Sequence, residues 1–283
     1  MKTIMAYLEP DAALPAVLGT SLTIARQFSS HIDAIHLQNS EPELIAAGAD
    51  GFVAAAPELL AGLAQEAKDR AARARGEFAA FCKEHGLSDT ASPTSPVSAV
   101  FRLIAATGTN SLGHWGRVAD LIVVASAQED QPHTHAAALE TALFESGRPV
   151  MIAPPKNLAT LGQNIVIAWN GSTETARTVA FAMPFLKAAQ TITILTTEPG
   201  SVPGPPAQDV ATYLARHGLT ASCQHVAANN GKAGEMILEE CACLQADLLI
   251  KGAFTQSRLR QMIFGGATSH IIANAALPVF MAH

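Results

Sequence analysis

Aromatic side chains are scarce in this chain, 5% of 283 residues, and charged ones reach only 15%. The first shortage means that a buried core must be aliphatic, built from the Ala, Val, Ile and Leu that fill parallel sheets covered by helices. Low charge together with 49% hydrophobic residues excludes the highly charged, apolar-poor composition of disordered chains. Positive charge is not in surplus either. With a net charge of −6 and a pI near 5.9, the sequence offers no broad field of clustered Lys and Arg for nucleic acid. No apolar run near the start is long enough for a signal h-region or a membrane span, and Met1-Lys2-Thr3-Ile4 leads straight into a strand-like segment. A cytoplasmic protein with neither nucleic-acid nor membrane partners is expected. Cysteine is thin as well: Cys82 and Cys223 stand alone, while Cys241 and Cys243 lie two apart in a helical segment, where side chains point about 200° apart. That spacing suits neither a zinc site nor a disulfide framework, so the four are expected as ordinary buried thiols.

What the chain does contain is internal repetition, and a repeat decides the fold before any local reading does. Ala119-Asp120-Leu121-Ile122-Val123-Val124 recurs as Ala246-Asp247-Leu248-Leu249-Ile250-Lys251, and Arg148-Pro149-Val150-Met151-Ile152-Ala153 as Leu277-Pro278-Val279-Phe280-Met281-Ala282. Glu84-His85-Gly86-Leu87 matches Arg216-His217-Gly218-Leu219, and Ile4-Met5-Ala6-Tyr7 matches Val166-Ile167-Ala168-Trp169. The order is constant, and the offset jumps once, from 132 to 162. The first copy therefore carries an insertion of about thirty residues between His36 and His85, near residues 40–75. Two domains follow, 1–155 and 163–283, joined by the short Pro154 to Gly162 linker, in keeping with roughly 100–200 residues per domain.

Each copy alternates short β-type runs with helical stretches, which implies right-handed βαβ crossovers and a parallel sheet. In the second copy the strands are Ile165–Trp169, Ile192–Thr196, Cys223–Ala227, Asp247–Lys251 and Val279–Ala282. Ser172 or Thr173 caps the first helix, Pro184 kinks or ends it, and Gly218 closes the Ala207–His217 helix. The first copy runs through Thr3–Leu8, a helix Leu14–Phe28, Ile32–Leu37, a long helix within Pro57–His85, a weaker strand near Val97–Ile104, a short helix near Asn110–Arg117, and Leu121–Ala125. The expected fold class is α/β: two tandem doubly wound domains, each with a five-stranded parallel sheet.

In such sheets ligands bind beyond the carboxyl ends of the strands, where strand order reverses. After Lys251 come Gly252-Ala253-Phe254-Thr255 and then Gly265-Gly266-Ala267-Thr268 opening a helical stretch. Glycines allow close backbone approach, and the N–H groups of a helix start can hold an anion. Lys251, Arg258 and Arg260 could supply charge, as could Lys232 after Gly231 in the loop beyond the third strand, although solvated loop cations are the plainer reading. His133, His135 and Asp130 lack a third and fourth ligand, so no metal site is expected.

These residues resemble the universal stress protein family in its tandem two-domain form. Its nucleotide-binding members carry Gly-x2-Gly-x9-Gly-Ser/Thr after the fourth strand. Gly252 and Gly265 fall on the first and third glycines, Thr255 replaces the second, and Gly266 replaces the Ser/Thr. Asn170 stands where the family has an Asp after the first strand, and Thr197 where the backbone meets adenine. The resemblance implies the universal stress protein fold, which is like that of adenine nucleotide α-hydrolases. It also implies a second domain that takes ATP or another adenine nucleotide, with no metal beyond nucleotide-associated Mg. In the first copy Leu8 takes the place of the Asp or Asn, and Ser126 to His135 holds two acids and no glycine, so no nucleotide is expected there. Last strands of the family pair antiparallel, which implies an internal pseudo-dimer of the two copies, and leftover apolar surface would allow a homodimer. Three readings follow: a nucleotide-responsive stress module, a ligand-free scaffold with both sites decayed, and a slow ATPase. A nucleophile beside a base, paired carboxylates at a glycine loop and a pyrophosphatase-type loop are all missing, which sets catalysis last.

Overall fold

The computed structural model describes residues 1–39, 57–88, 96–106, 108, 110–127, 133–156, 160–198, 201–227, 232–253 and 266–283. In the first half β1 (Thr3–Tyr7), β2 (His31–Asn39), β3 (Ser98–Ala106), β4 (Leu121–Ala125) and β5 (Val150–Ala153) alternate with α1 (Leu14–Phe28), α2 (Pro57–His85), α3 (Ser111–Gly116) and α4 (His133–Glu145). The second half follows with β6 (Asn164–Ala168), α5 (Thr173–Phe181), α6 (Met183–Ala188), β7 (Thr191–Thr197), α7 (Ala207–Arg216) and β8 (Ser222–Val226). It closes with α8 (Ala233–Cys243), β9 (Leu248–Gly252), α9 (Ala267–Asn274) and β10 (Val279–Ala282).

The repeated tripeptides have physical causes. Gly86 and Gly218 follow α2 and α7 at φ of +64° and +79°, a left-handed turn that glycine adopts without strain. The next N–H then reaches back into each helix, Leu87 to the Cys82 carbonyl at 2.9 Å and Leu219 to that of Leu214 at 3.1 Å. The Ala-Asp repeat ties each sheet at its amino end. Asp120 accepts from the N–H of Lys2 and Thr3, and Asp247 from those of Gln163 and Asn164 at 3.1 and 2.8 Å. Burial alone would raise the Asp120 pKa, but the two backbone N–H groups hold it below the usual carboxylate value. Ser172 caps α5 by accepting the Thr175 N–H at 3.2 Å. Pro184 does not bend that helix: α5 stops at Phe181, and the proline lies in the first turn of α6, where its missing N–H costs nothing.

All ten strands form one sheet in the order β3-β2-β1-β4-β5-β10-β9-β6-β7-β8. Every neighbouring pair is parallel except β5 and β10, which run antiparallel with Phe280 opposite Met151. The two five-stranded halves are therefore a single sheet. Helices α1, α2, α5, α6 and α7 cover one face, and α3, α4, α8 and α9 the other. Aromatic side chains enter this aliphatic core at a few places, among them one where Phe28, Phe185 and Phe280 meet edge to face with centroids 5.0 and 5.6 Å apart. Cys82 and Cys241 are buried, but Cys223 and Cys243 are exposed. Cys223 sits on edge strand β8, and the helical period turns Cys243 away from Cys241, whose thiol burial pushes up to about 12.

The sheet also corrects the repeat by one residue. Leu8 donates to Ile35 and Trp169 to Leu195, each the first N–H beyond its strand, and Asp120 and Asp247 donate to Thr3 and Asn164. Ile4 thus matches Ile165, not Val166, and both point to the same face. Because side chains alternate, a slip of one would put every one of them on the wrong face.

Candidate functional site

The strand order of the second half reverses between β6 and β9, where Ala168 pairs with Lys251. At the carboxyl end of β9 two faces diverge. Gly252 turns towards α5, and an added Cβ would lie 2.5 Å from the Thr175 nitrogen and 2.6 Å from its Oγ1. Its glycine is thus demanded by the packing of α5, without a positive φ. Lys251 turns the other way, under α9. Its side chain is 8% exposed, and its Nζ donates to the Gly252 carbonyl at 2.9 Å and to Thr268 Oγ1 at 2.8 Å. Burial pushes the ammonium down to about 8, since a charge out of water is disfavoured.

Two helices begin beside it. Lys232 and Gly266 stand as the N-caps of α8 and α9, and neither supplies a side-chain cap. The two starts are pressed together: a Cβ on Gly234 would lie 2.7 Å from the Ala267 carbonyl and 3.0 Å from His270 Cβ. First-turn N–H groups, which have no acceptor within their own helices, and the positive dipole ends of both helices therefore converge near a buried cation. No Asp or Glu occurs after Asp247, and the acid in the first turn of α8 is Glu235.

Of the residues singled out in the sequence, Lys251, Gly252, Gly266, Ala267 and Thr268 are brought together here. Gly231, Thr255 and Gly265 lie outside the described residues, as do Arg258 and Arg260. Thr197 ends β7, partly buried. Asn170 is engaged locally: its Oδ1 accepts from the Ser172 N–H at 3.2 Å and from Thr175 Oγ1 at 2.7 Å. A strap from the proline-rich loop also rests there. Val202 N–H donates to the Asn170 carbonyl at 2.9 Å, and Trp169 Nε1 to the Pro205 carbonyl at 2.8 Å. Gly171, at φ +83°, and Gly204 touch backbone to backbone, so that a Cβ on Gly204 would lie 2.2 Å from the Gly171 oxygen. Glycines at 171 and 204 among prolines were the available signal for this contact.

The matching end of the first half holds a cluster that sequence patterns did not reveal. With the corrected register, Glu9 and not Leu8 stands opposite Asn170; Leu8 is simply core. Glu9 is buried, accepts from the Tyr7 hydroxyl, and pairs with Arg70 from α2. Burial and the Glu9 charge push the Tyr7 phenol well above its ordinary value. Beside it His135 Nε2 meets Asp11 Oδ2 at 2.7 Å, and its buried Nδ1 has no partner among the described residues. Burial would raise the Asp11 pKa, but the His135 and Ala13 hydrogen bonds hold it below the usual value. His135 thus ties α4 to the loop after β1, and no group of three or more His, Cys, Asp or Glu suited to a metal occurs among the described residues. In place of Lys251 and Gly252 the first half has Val124 and Ala125.

The strand order defines a doubly wound α/β protein with a switch point between β6 and β9. Residues 162–283 match the model of the Universal stress protein family, so the second half is a universal stress protein domain. Over 99% of this chain and 95% of the other, a universal stress protein from Archaeoglobus fulgidus superposes with a TM-score of 0.71 at 14% identity. A functionally unknown protein from Pseudomonas aeruginosa superposes at 0.56 and 13% identity, covering 100% and 92%. At these identities the likeness is one of fold. A search of curated proteins gives no match. Among the described residues no helix is long and apolar enough to cross a membrane.

Proposed function

We propose that the chain is a non-catalytic stress-response module of the cytoplasm whose second half holds an adenine nucleotide, ATP, ADP or AMP. The phosphates lie at the starts of α8 and α9, and the nucleoside extends towards Asn170 and Thr197. The observation that carries this reading is the convergence of two uncapped helix starts and Lys251 at the strand-order switch of a universal stress protein domain. N–H groups, a hydroxyl and an ammonium are donors fitted to phosphate oxygens. They are not ligands for a metal, so any Mg would arrive on the nucleotide. The first half takes no part in binding, because Arg70 already occupies the Glu9 carboxylate.

A ligand-free scaffold is the second reading, favoured by the strap over Asn170 and Gly171. Denaturing the purified protein and chromatographing what it releases separates the two. About one adenine nucleotide per chain supports binding. A blank, together with no rise in melting temperature on adding ATP, rejects it in favour of the scaffold.

A further inference from the structure

We propose that Lys251 supplies the positive charge that holds a phosphate monoester in the second half, acting through the Thr268 hydroxyl and taking the place of a divalent metal. The inference rests on the nucleotide reading above and specifies how the phosphate is gripped.

Lys251 is a buried cation that no carboxylate meets among the described residues. An ammonium has three donors; two are used, on a carbonyl and a hydroxyl, both neutral. Its depressed basicity comes from desolvation alone, with no carboxylate to offset it. The charged or titratable groups near the helix starts and strand end around it are Lys232 and Glu235 at the start of α8, His270 on α9 and His283 beyond β10, with Glu239, Glu240, Cys241 and Cys243 farther along α8. None of them forms an ion pair with the ammonium among the described residues. The helix starts next to it add positive potential of their own. Three positive groups around one point leave an arrangement that only an anion can balance, and a buried charge without one is costly.

Thr268 makes the link. Its Oγ1 accepts from Lys251, which leaves the hydroxyl hydrogen to donate onward, and the residue lies in the first turn of α9 beside that helix's free N–H groups. A hydrogen bond polarised by a neighbouring ammonium strengthens its donation to an anion. In the first half Val124 stands at the position of Lys251, so the charge exists in one half only.

The test is calorimetric titration of the full chain with AMP and with inorganic phosphate, in EDTA and in Mg, at pH 7 and pH 9.5. AMP is dianionic at pH 9.5 and largely so at pH 7, the second pKa of a phosphate monoester lying at about 6, so the pH comparison is read from AMP. Expected is binding that EDTA does not weaken. Its affinity falls about tenfold towards pH 9.5, where an ammonium with a value of about 8 must take up a proton to meet the anion. Lys251→Met should lose at least tenfold at pH 7 and the pH dependence with it, while its melting temperature is unchanged or raised, since an unbalanced buried charge has gone. Should that variant fail to fold, Thr268→Val carries the test, with a several-fold loss expected for the hydroxyl alone. Unaltered AMP affinity in the folded Lys251→Met variant, or binding that needs Mg, overturns the inference and leaves the nucleotide reading standing. Lys251-dependent binding of phosphate without AMP upholds the inference and removes the nucleotide. Failure of both ligands to bind removes both.

Discussion

Glu9 in the first half and Asn170 in the second occupy the same place at the exit of the first strand, and the chain covers them in opposite ways. Glu9 is closed over by charge: Tyr7 donates to it, and Arg70 reaches it from the inserted helix α2. Asn170 is closed over by backbone, from a strap that needs glycine at 171 and 204. At the neighbouring strand exit the polarity is reversed, with Val124 and Ala125 in the first half and Lys251 and Gly252 in the second. One half has spent its charges on itself, while the other retains a cation whose partners among the described residues are neutral, the Gly252 carbonyl and the Thr268 hydroxyl. A duplicated fold thus separates what the sheet requires from what a ligand requires, because only the first must be preserved in both copies.

The largest expected effect comes from exchanging small residues across the repeat. Gly252→Ala places a Cβ 2.5 Å from the Thr175 nitrogen, where a backbone atom cannot yield easily, and should cost about 3 kcal/mol of unfolding free energy. Ala125→Gly, at the matching position, should cost only about 1 kcal/mol. Urea denaturation of both variants checks the contrast, and equal losses would show that the packing of α5 does not demand the glycine. Next in size is truncation at the strand exits. Glu9→Ala leaves the buried Tyr7 hydroxyl unpaired and should cost about 2 kcal/mol, against about 1 kcal/mol for Asn170→Ala, whose lost partners Ser172 and Thr175 remain hydrogen-bonded to each other. The reverse order in chemical denaturation would mean that the strap, and not the charged cluster, carries more of the stability.

The smallest effect is a pH dependence confined to the first half. Asp11 has a lowered pKa in the folded state, so its contribution is fully present above its unfolded value of about 3.9 and is lost as pH falls through the lower folded value. Asp11→Asn should therefore be less stable than the parent by about 1 kcal/mol at neutral pH, with the gap narrowing below about pH 4. A gap that stays constant down to pH 2 would disconnect Asp11 from the titration.

Much of this fold is legible in local pattern. The glycines after α2 and α7, the Ala-Asp starts of β4 and β9 and the Ser172 cap each answer to a hydrogen bond or a dihedral that a few consecutive residues specify. The register of β1 against β6 is less so: Ile4-Met5-Ala6-Tyr7 resembles Val166 to Trp169 as text, yet pairing in the sheet moves the match by one. Lys251 and Thr268 are visible as residues near a glycine loop, but their contact, and the absence of any acid beside it, depends on α9 crossing the end of β9. The Glu9–Arg70 and Asp11–His135 pairs were invisible, being 61 and 124 residues apart in sequence.

The sequence by itself determined the duplication, the α/β class and the strands that end each half, because periodicity and turn chemistry are local and occur twice. Only the tertiary structure decided the register in which β5 and β10 join the ten strands into one sheet, with Phe280 opposite Met151. It also decided that Glu9 is the counterpart of Asn170, and that one half neutralises its own charges while the other gives Lys251 neutral partners among the described residues. The physical reason is that charge balance and register are properties of neighbours in space, and those neighbours come from elements that the sequence keeps far apart.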